Sequence, residues 1–342
     1  MSTDHADSGV QKFHAQPTPR IGGVALALGL LAFDGAMHAS GWFDRTVKSE
    51  LDGLLLAAIP AFAGGIAEDL TRKVGPRARL ILTMVSGLLG ILTVNAEVLR
   101  LDIPVLDLLF HYGPVAALFT MFAVGGVSNA VNIIDGFNGL ASGVCTIMLV
   151  GVAAVAAGLG DITVCIAALA MGGVVVGFMC WNWPWGKVFL GDGGAYLLGF
   201  WVAELAILLV ARHPQVTAWF AVILMIHPIF ETLFSMYRRI LLRGKPSTHP
   251  DAMHMHQLVY GRLVRIHVGS KVPMERTRRN AATAPYFWFG GVIATATAVM
   301  VAQDAIAGFT AAAFFSLAYV LTYQRLVRWS TPRIAVTRVG LR

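Results

Sequence analysis

Ten runs of roughly 17 to 22 mostly apolar residues follow one another along the chain, at about 21–39, 51–67, 79–97, 112–128, 139–158, 161–180, 194–211, 216–237, 286–303 and 305–324. Hydrocarbon offers a peptide group no hydrogen-bond partner, so a run of this length can cross a bilayer only as a helix that satisfies its own backbone. Composition agrees. Of 342 residues 56% are hydrophobic and 13% charged, with a mean hydropathy of +0.68, which leaves too little polar surface for a soluble globule. The expected fold class is an all-α integral membrane protein with about ten transmembrane helices. A polar segment at 1–20 precedes a polytopic domain at 21–324, and a basic tail follows at 325–342. Met1 to Gln16 lacks the apolar core of a secretory signal, so the first span is expected to direct insertion.

An even number of spans puts both termini on one side. Of the 26 Lys and Arg, all but Arg45, Lys48, Arg100 and Arg212 then fall on that side, and the positive-inside rule assigns it to the cytoplasm. Basic loops of this kind meet anionic headgroups, so the net charge of +7 calls for no nucleic-acid partner. Cys145, Cys165 and Cys180 lie in apolar runs without C-x-x-C spacing, which argues against a disulfide framework and a zinc site.

The polar motifs collect in loops on the same side, at about 68–78, 129–138, 181–193 and 238–285. They read K-F-H-A-Q-P-T-P-R-I-G-G from Lys12, A-E-D-L-T-R-K-V-G-P-R-A-R-L from Ala67, N-A-V-N-I-I-D-G-F-N-G-L from Asn129, N-W-P-W-G-K-V-F-L-G-D-G-G from Asn182, and H-P-D-A-M-H-M-H-Q-L within the long basic segment. A transporter places its ionisable residues near mid-bilayer and uses broken helices. Here Glu68, Asp69, Asp135 and Asp192 stand at helix ends on one face, and no broken helix is legible, so an interfacial active site facing the cytoplasm is expected. Asp192, in G-D-G-G before a helix, could hold a divalent cation while the helix N-terminus holds a phosphate oxygen. Asn132 and Asp135, three apart, share one helical face, and the glycines beside them give a bulky ligand clearance. Hard oxygen ligands without paired thiols point to Mg2+ or Mn2+. His254 and His256, with Arg238, Arg239, Arg243 and Arg262, supply donors for a pyrophosphate. Phosphoryl chemistry at a membrane surface is the common denominator.

In this order the motifs resemble those of the polyprenyl-phosphate N-acetylhexosamine-1-phosphate transferase family, which includes the phospho-MurNAc-pentapeptide translocase and the GlcNAc-1-phosphate transferases that begin surface polysaccharides. The resemblance runs from about Lys12 to the histidine loop. It implies a multi-pass enzyme of the bacterial inner membrane that moves a sugar 1-phosphate from a UDP-sugar to undecaprenyl phosphate, releases UMP and uses magnesium. The P-T-P-R-x-G-G form favours the O-antigen or exopolysaccharide branch. Carried over residue by residue, the resemblance makes Asp192 the metal ligand, with Asn132 and Asp135 lining the diphosphate and metal region. It makes Phe189 the ring that stacks on uracil and Asn138 and Asn182 its hydrogen-bonding partners. Glu68 and Asp69 become the acidic pair near the acceptor phosphate, and His254 and His256 the loop near the pyrophosphate and sugar. Asp69 is expected to position or deprotonate the acceptor in a single displacement; an aspartyl-phosphate intermediate is the competing route.

Three features depart from the family pattern. Glu68 replaces the first aspartate of the pair, Asn138 replaces an aspartate, and a further helix expected before P-T-P-R is not in the sequence. A non-catalytic family member and a polytopic transporter are therefore the alternatives, and a homodimer is compatible with everything above. Outside the motifs, Asn129 reads as a cap or turn residue. His227 and Glu231, four apart, read as a structural hydrogen bond. Glu204 needs a polar partner in mid-span, and Trp181, Trp183 and Trp185 read as an interfacial belt.

Overall fold

The computed structural model describes residues 3–4, 18–242, 253–266, 273–328 and 337–339. Lys12 to Pro17 and Arg243 to Ala252, which include parts of two motifs, lie outside them. The helices, in chain order, are α1 (Gly22–Ser40), α2 (Arg45–Thr71), α3 (Pro76–Val94), α4 (Pro104–Phe110), α5 (Gly113–Ile134), α6 (Leu140–Leu159), α7 (Ile162–Asn182) and α8 (Gly191–Arg212). They continue as α9 (Ala218–Leu224), α10 (Ile226–Tyr237), a π-helical turn (Arg238–Leu242), α11 (Met255–Arg262), α12 (Pro273–Ala281), α13 (Ala284–Met300) and α14 (Ala305–Val327). Short strand pairs join Thr3–Asp4 to Thr18–Pro19 and Val264–Ile266 to Thr337–Val339.

All ten apolar runs are helical. Among the described residues eight helices are each long and apolar enough to cross a membrane: α1, α2, α3, α5, α6, α7, α8 and α14. The run at 216–237 is α9 and α10, bent by 75° at their junction, so one span is broken after all. The cause is local. Pro228 has no N–H to return to Leu224, and Met225, at φ −101° and ψ 17°, takes the turn between them. The run at 286–303 is α13, 17 residues long.

The core is α8. It is apolar around its whole circumference, and 94% of its membrane-length window is buried, against 11% for α14. Small residues let its first turn lie almost backbone to backbone with two neighbours. A Cβ on Gly23 of α1 would stand 2.3 Å from Gly194 N, and one on Gly65 of α2 would stand 2.5 Å from the Asp192 carbonyl. Glu204, in the middle of α8, is fully buried, and neither carboxylate oxygen has a hydrogen-bond partner among the described residues. The polar partner expected for it is absent there.

At one end of the bundle α1, α3, α6 and α8 begin and α2, α5 and α7 end. The described residues of the motifs expected to carry chemistry are therefore gathered at that end. The opposite end holds ion pairs that tie helices together, such as Arg212 with Glu50 at 2.7 Å and Asp161 with His213 at 3.1 Å.

Candidate active site

Thr18 and Pro19 enter the site extended, and the segment from there to the start of α1 lies against the loop that leads into α8. Phe189 N donates to Pro19 O at 2.9 Å, and Gly22 N and Gly23 N donate to Phe189 O and Leu190 O, both at 2.9 Å. Thr18 Oγ1 donates to Gly186 O at 3.2 Å. These bonds fix the backbone at Phe189, whose ring lines the cavity, and bring Arg20 to the start of α8.

There the carboxylate of Asp192 is enclosed. Arg20 Nη2 reaches Oδ1 at 2.7 Å, Asn132 Nδ2 donates to Oδ1 at 3.2 Å, and Arg79 Nη1 pairs with Oδ2. Arg20 also bridges to Asp69, with Nε 3.1 Å from Oδ1. Asp69 faces the end of α8: its oxygens accept the backbone N–H groups of Asp192 and Gly193 at 3.0 and 2.9 Å. A carboxylate at a helix N-terminus meets both unpaired donors and the positive end of the dipole. The Asp69 side chain is 2% exposed, so both oxygens are committed to this latch. Glu68 turns elsewhere, accepting from Val74 N at 2.8 Å to close the α2–α3 turn. The acidic pair is thus divided between two structural bonds.

Asp135 differs from both. It caps the end of α5 and lines the cavity, and no described group hydrogen-bonds its carboxylate. Burial pushes its carboxyl up to about 7, with Arg20 pulling the other way and the Asp192 and Asp69 charges adding to the rise.

Asn182 and Asn138 hold the loops together. Asn182 Oδ1 accepts from Gly139 N at 2.6 Å and its Nδ2 donates to Val188 O at 2.8 Å. Asn138 N donates to Asn280 Oδ1 at 2.8 Å, while its amide lies 3.4 Å from Pro184 O. Both asparagines line the cavity, but the polar groups of Asn182 are already used within the protein. The glycines of this stretch also serve packing. Gly139, at φ +74°, leaves room for Trp183, and a Cβ on Gly136 would come 3.1 Å from His256 Nε2.

His254 and His256, at the start of α11, stack with ring centres 5.3 Å apart and planes at 4°. Burial holds the His256 imidazole down at about 3, so it is neutral near pH 7 and the pair does not act as two cations. His254 Nδ1 bonds Glu231 Oε1 at 2.8 Å. Glu231 is therefore paired across to α11 and not with His227, whose ring nitrogens have no hydrogen-bond partner among the described residues and whose ring packs 4.9 Å from that of Phe287. Of the arginines expected to serve a pyrophosphate, Arg239 lines the cavity, whereas Arg238 points to Met253 O at 2.7 Å and to Tyr323.

Two further expectations change. Asn129 lies inside α5, donating to Gly125 O at 2.7 Å and meeting Tyr196 OH at 3.4 Å, so it is neither cap nor turn. Trp183 packs on Trp288 and donates to Ala281 O at 3.0 Å, which leaves Trp181 and Trp185 as the exposed members of the tryptophan set.

The cavity has a volume of about 1100 Å³. From the polar mouth it follows α8 past Ala203 and Ile207 to Val210 and Arg100 at the other end. Nineteen residue steps along α8, from Gly191 to Val210, rise about 28 Å, the depth of a bilayer's hydrocarbon. Exposed Phe122, Leu233 and Met236 flank it, so it is a groove open to the side.

Asp192, Asp135 and the Asn132 carbonyl form a donor set of hard oxygens, which suits Mg2+. The carboxylate oxygens of Asp69, Asp135 and Asp192 do not all lie within 4.8 Å of one another. Among the described residues the one group of three His, Cys, Asp or Glu side chains whose ligand atoms lie within 4.8 Å of one another is Asp34, His38 and Asp52, at the opposite end.

Residues 51–210 match the family model for glycosyl transferase family 4. The chain is 29% identical to a probable undecaprenyl-phosphate N-acetylglucosaminyl 1-phosphate transferase of Bacillus subtilis, over 72% of this chain and 66% of that protein. It is 27% identical to an undecaprenyl-phosphate alpha-N-acetylglucosaminyl 1-phosphate transferase of Thermotoga maritima, over 75% and 72% of the two chains. It is 33% identical to a phospho-N-acetylmuramoyl-pentapeptide-transferase of Symbiobacterium thermophilum, over 56% and 60%. The matched region thus spans between about three fifths and three quarters of these relatives.

Proposed function

We propose that this chain, which belongs to glycosyl transferase family 4, transfers an N-acetylhexosamine 1-phosphate from a UDP-sugar to undecaprenyl phosphate and releases UMP. The observation that carries this reading is the meeting of a charged, phosphate-ready mouth with an apolar groove about as long as a bilayer is thick. A soluble nucleotide sugar can enter the first while a polyprenyl chain lies in the second. The names of the relatives support the polyprenyl-phosphate acceptor and the transfer of an N-acetylglucosaminyl 1-phosphate.

In the reaction an oxygen of the lipid phosphate attacks the β-phosphorus of the donor. A P–O bond forms, the bond from that phosphorus to the bridging oxygen breaks, and UMP leaves with the electron pair. Both partners are anionic, so the barrier contains their mutual repulsion. Arg20, Arg79 and Arg239 offset it and orient the phosphates. Mg2+, held by Asp192 with Asp135 and Asn132, would supply charge neutralisation at the diphosphate oxygens. With Asp69 committed to α8, Asp135 is the carboxylate left to orient the acceptor or take its proton, and a single displacement is the reading the geometry supports. Phe189 offers its ring to the uracil. The abundance of Lys and Arg on this face supports a cytoplasmic mouth in the bacterial inner membrane, and the P-T-P-R-I-G-G segment supports a role in beginning O-antigen or exopolysaccharide chains.

The test is purified protein in detergent with UDP-N-acetylglucosamine, undecaprenyl phosphate and Mg2+, repeated with other UDP-N-acetylhexosamines. UMP formed one for one with a lipid-linked sugar diphosphate is expected. UMP formed without lipid would indicate a hydrolase, and no product from any donor would favour a non-catalytic family member.

A further inference from the structure

We propose that Glu231 of α10 and Tyr319 of α14 are positioning residues for His254, fixing its ring with a proton on Nδ1 and with Nε2 presented to the cavity. The proposal rests on the functional reading above for the substrate that Nε2 meets, and on the structure alone for the ring's orientation.

Glu231 is 1% exposed, and its carboxylate is ringed by donors. Oε1 lies 2.8 Å from His254 Nδ1 and 3.1 Å from Met255 N, and Oε2 lies 3.2 Å from Met255 N and 2.6 Å from Tyr319 OH. A carboxylate that takes a backbone N–H and a phenol O–H acts as an acceptor, so the proton of the Glu231–His254 bond belongs to Nδ1. Nε2, on the far side of the ring, then carries a lone pair in the neutral imidazole or an N–H in the cation. His254 lines the cavity, and Arg239 Nη2 stands 3.5 Å from that nitrogen.

Other contacts remove the ring's remaining freedom. The His254 backbone N–H donates to Gln257 Oε1 at 3.0 Å, which fixes the start of α11. One face of the ring is covered by His256. Tyr319 is itself packed edge to face on Phe230 and Phe234, with ring centres 4.9 and 5.6 Å away, so α14 contributes a rigid arm. A helix that is otherwise mostly lipid-facing thus reaches the site through the Tyr319 hydroxyl, beside which Tyr323 OH donates to Met253 O at 3.2 Å. A buried carboxylate that only joined helices would not need the imidazole, since Met255 N and Tyr319 OH already satisfy it. Adding a histidine that faces the cavity makes it an orienting group, as carboxylates are for metal-bound or catalytic imidazoles.

The first experiment reads the ring directly. Nitrogen-15 spectra of histidine-labelled wild type, with His254 assigned by difference from His254→Gln, should show Nδ1 protonated in either the neutral or the cationic ring. A proton on Nε2 with a bare Nδ1 would overturn the proposal, and this reading holds whether or not sugar transfer is detected. The second is kinetic. Glu231→Gln should lower kcat about 10- to 100-fold with little change in KM for the UDP-sugar, Glu231→Asp should recover part of that, and Tyr319→Phe should give a smaller loss of the same kind. Loss that follows the thermal midpoint, equal for Gln and Asp, would reduce Glu231 to a structural residue, and unchanged kcat would contradict its role. If the variants do not fold, the wild-type spectrum decides. Wild type inactive with every UDP-sugar would sink the transferase reading and leave the spectrum to judge the positioning.

Discussion

Asp69 accepts the backbone N–H of Asp192 at 3.0 Å, so a carboxylate from the end of α2 caps the helix that carries the proposed metal ligand. The same carboxylate also accepts Gly193 N and pairs with Arg20, so both of its oxygens bond the protein. Asp69→Ala should therefore cost about 2 to 4 kcal/mol of stability along with activity, because charged hydrogen bonds are lost and Arg20 is left beside an unbalanced site. Asp69→Asn should recover part of the stability. Chemical unfolding in mixed micelles measures this. Full stability with activity lost would restore Asp69 as a group that acts on the acceptor.

Arg79 and Arg20 occupy the oxygens of Asp192 that a cation would use. Arg79→Gln removes one competitor, so Mn2+ affinity, read by electron paramagnetic resonance on purified protein, should rise about fivefold or more. The KM for the UDP-sugar should rise as well, since a phosphate partner is lost. Mn2+ binding that weakens or stays the same would contradict this arrangement.

Burial holds the Asp135 carboxyl near 7 in the folded protein, against roughly 4 in an unfolded chain. Between those values the folded state binds a proton that the unfolded state has released. Stability should then fall as pH rises from about 4 to about 7 and level off above. Asp135→Asn should remove that part of the slope. Thermal midpoints in detergent from acid to neutral pH provide the check, and parallel curves for the two proteins would show that Asp135 does not titrate there.

Gly65 faces the backbone of Asp192 and Gly193, where an added Cβ would come within 2.5 Å of three atoms. Backbone cannot move aside as a flexible side chain can, so Gly65→Ala should push α2 off α8. A loss of at least ~2 kcal/mol and of nearly all activity is expected. Gly35→Ala, with no atom within 4 Å of its new methyl, is the control and should behave as wild type. Equal behaviour of the two variants would argue against the tight latch.

The membrane architecture was legible because apolar run length is a one-dimensional signal, and all ten runs are helical. The break at Met225 was less so: Pro228 marks it, but a proline in a membrane helix can also be accommodated without a bend this large. The site was legible as a set of loops and less so as a set of bonds. Asp135 and Phe189 line the cavity and Asp192 is enclosed behind its lining residues Arg20, Arg79 and Asn132, while Glu68, Asp69 and Asn182 bond inward to hold helices and turns. Sequence proximity hides such a choice, since a side chain at a helix end can turn toward ligand or protein. Arg20 and Arg79 stood in quoted motifs without a role, because which carboxylate an arginine meets across more than 100 residues leaves no local mark. The Glu231–His254 contact spans only 23 residues, but it leaves no local mark either, and His227, one helical turn from Glu231, was the nearer candidate.

We propose that Asp192, held by Arg20, Arg79 and Asn132 at the polar end of the groove, carries sugar-phosphate transfer to a polyprenyl phosphate. The most direct test is the initial rate of lipid-linked product from UDP-N-acetylglucosamine or another UDP-N-acetylhexosamine, with Mg2+, in wild type and Asp192→Asn. Product and UMP in equal amounts are expected from wild type, dependent on both lipid and Mg2+, with a loss of at least about 100-fold in the variant, the scale of removing a transition-state charge partner. An Asp192→Asn protein that folds and transfers at the wild-type rate would contradict the proposal.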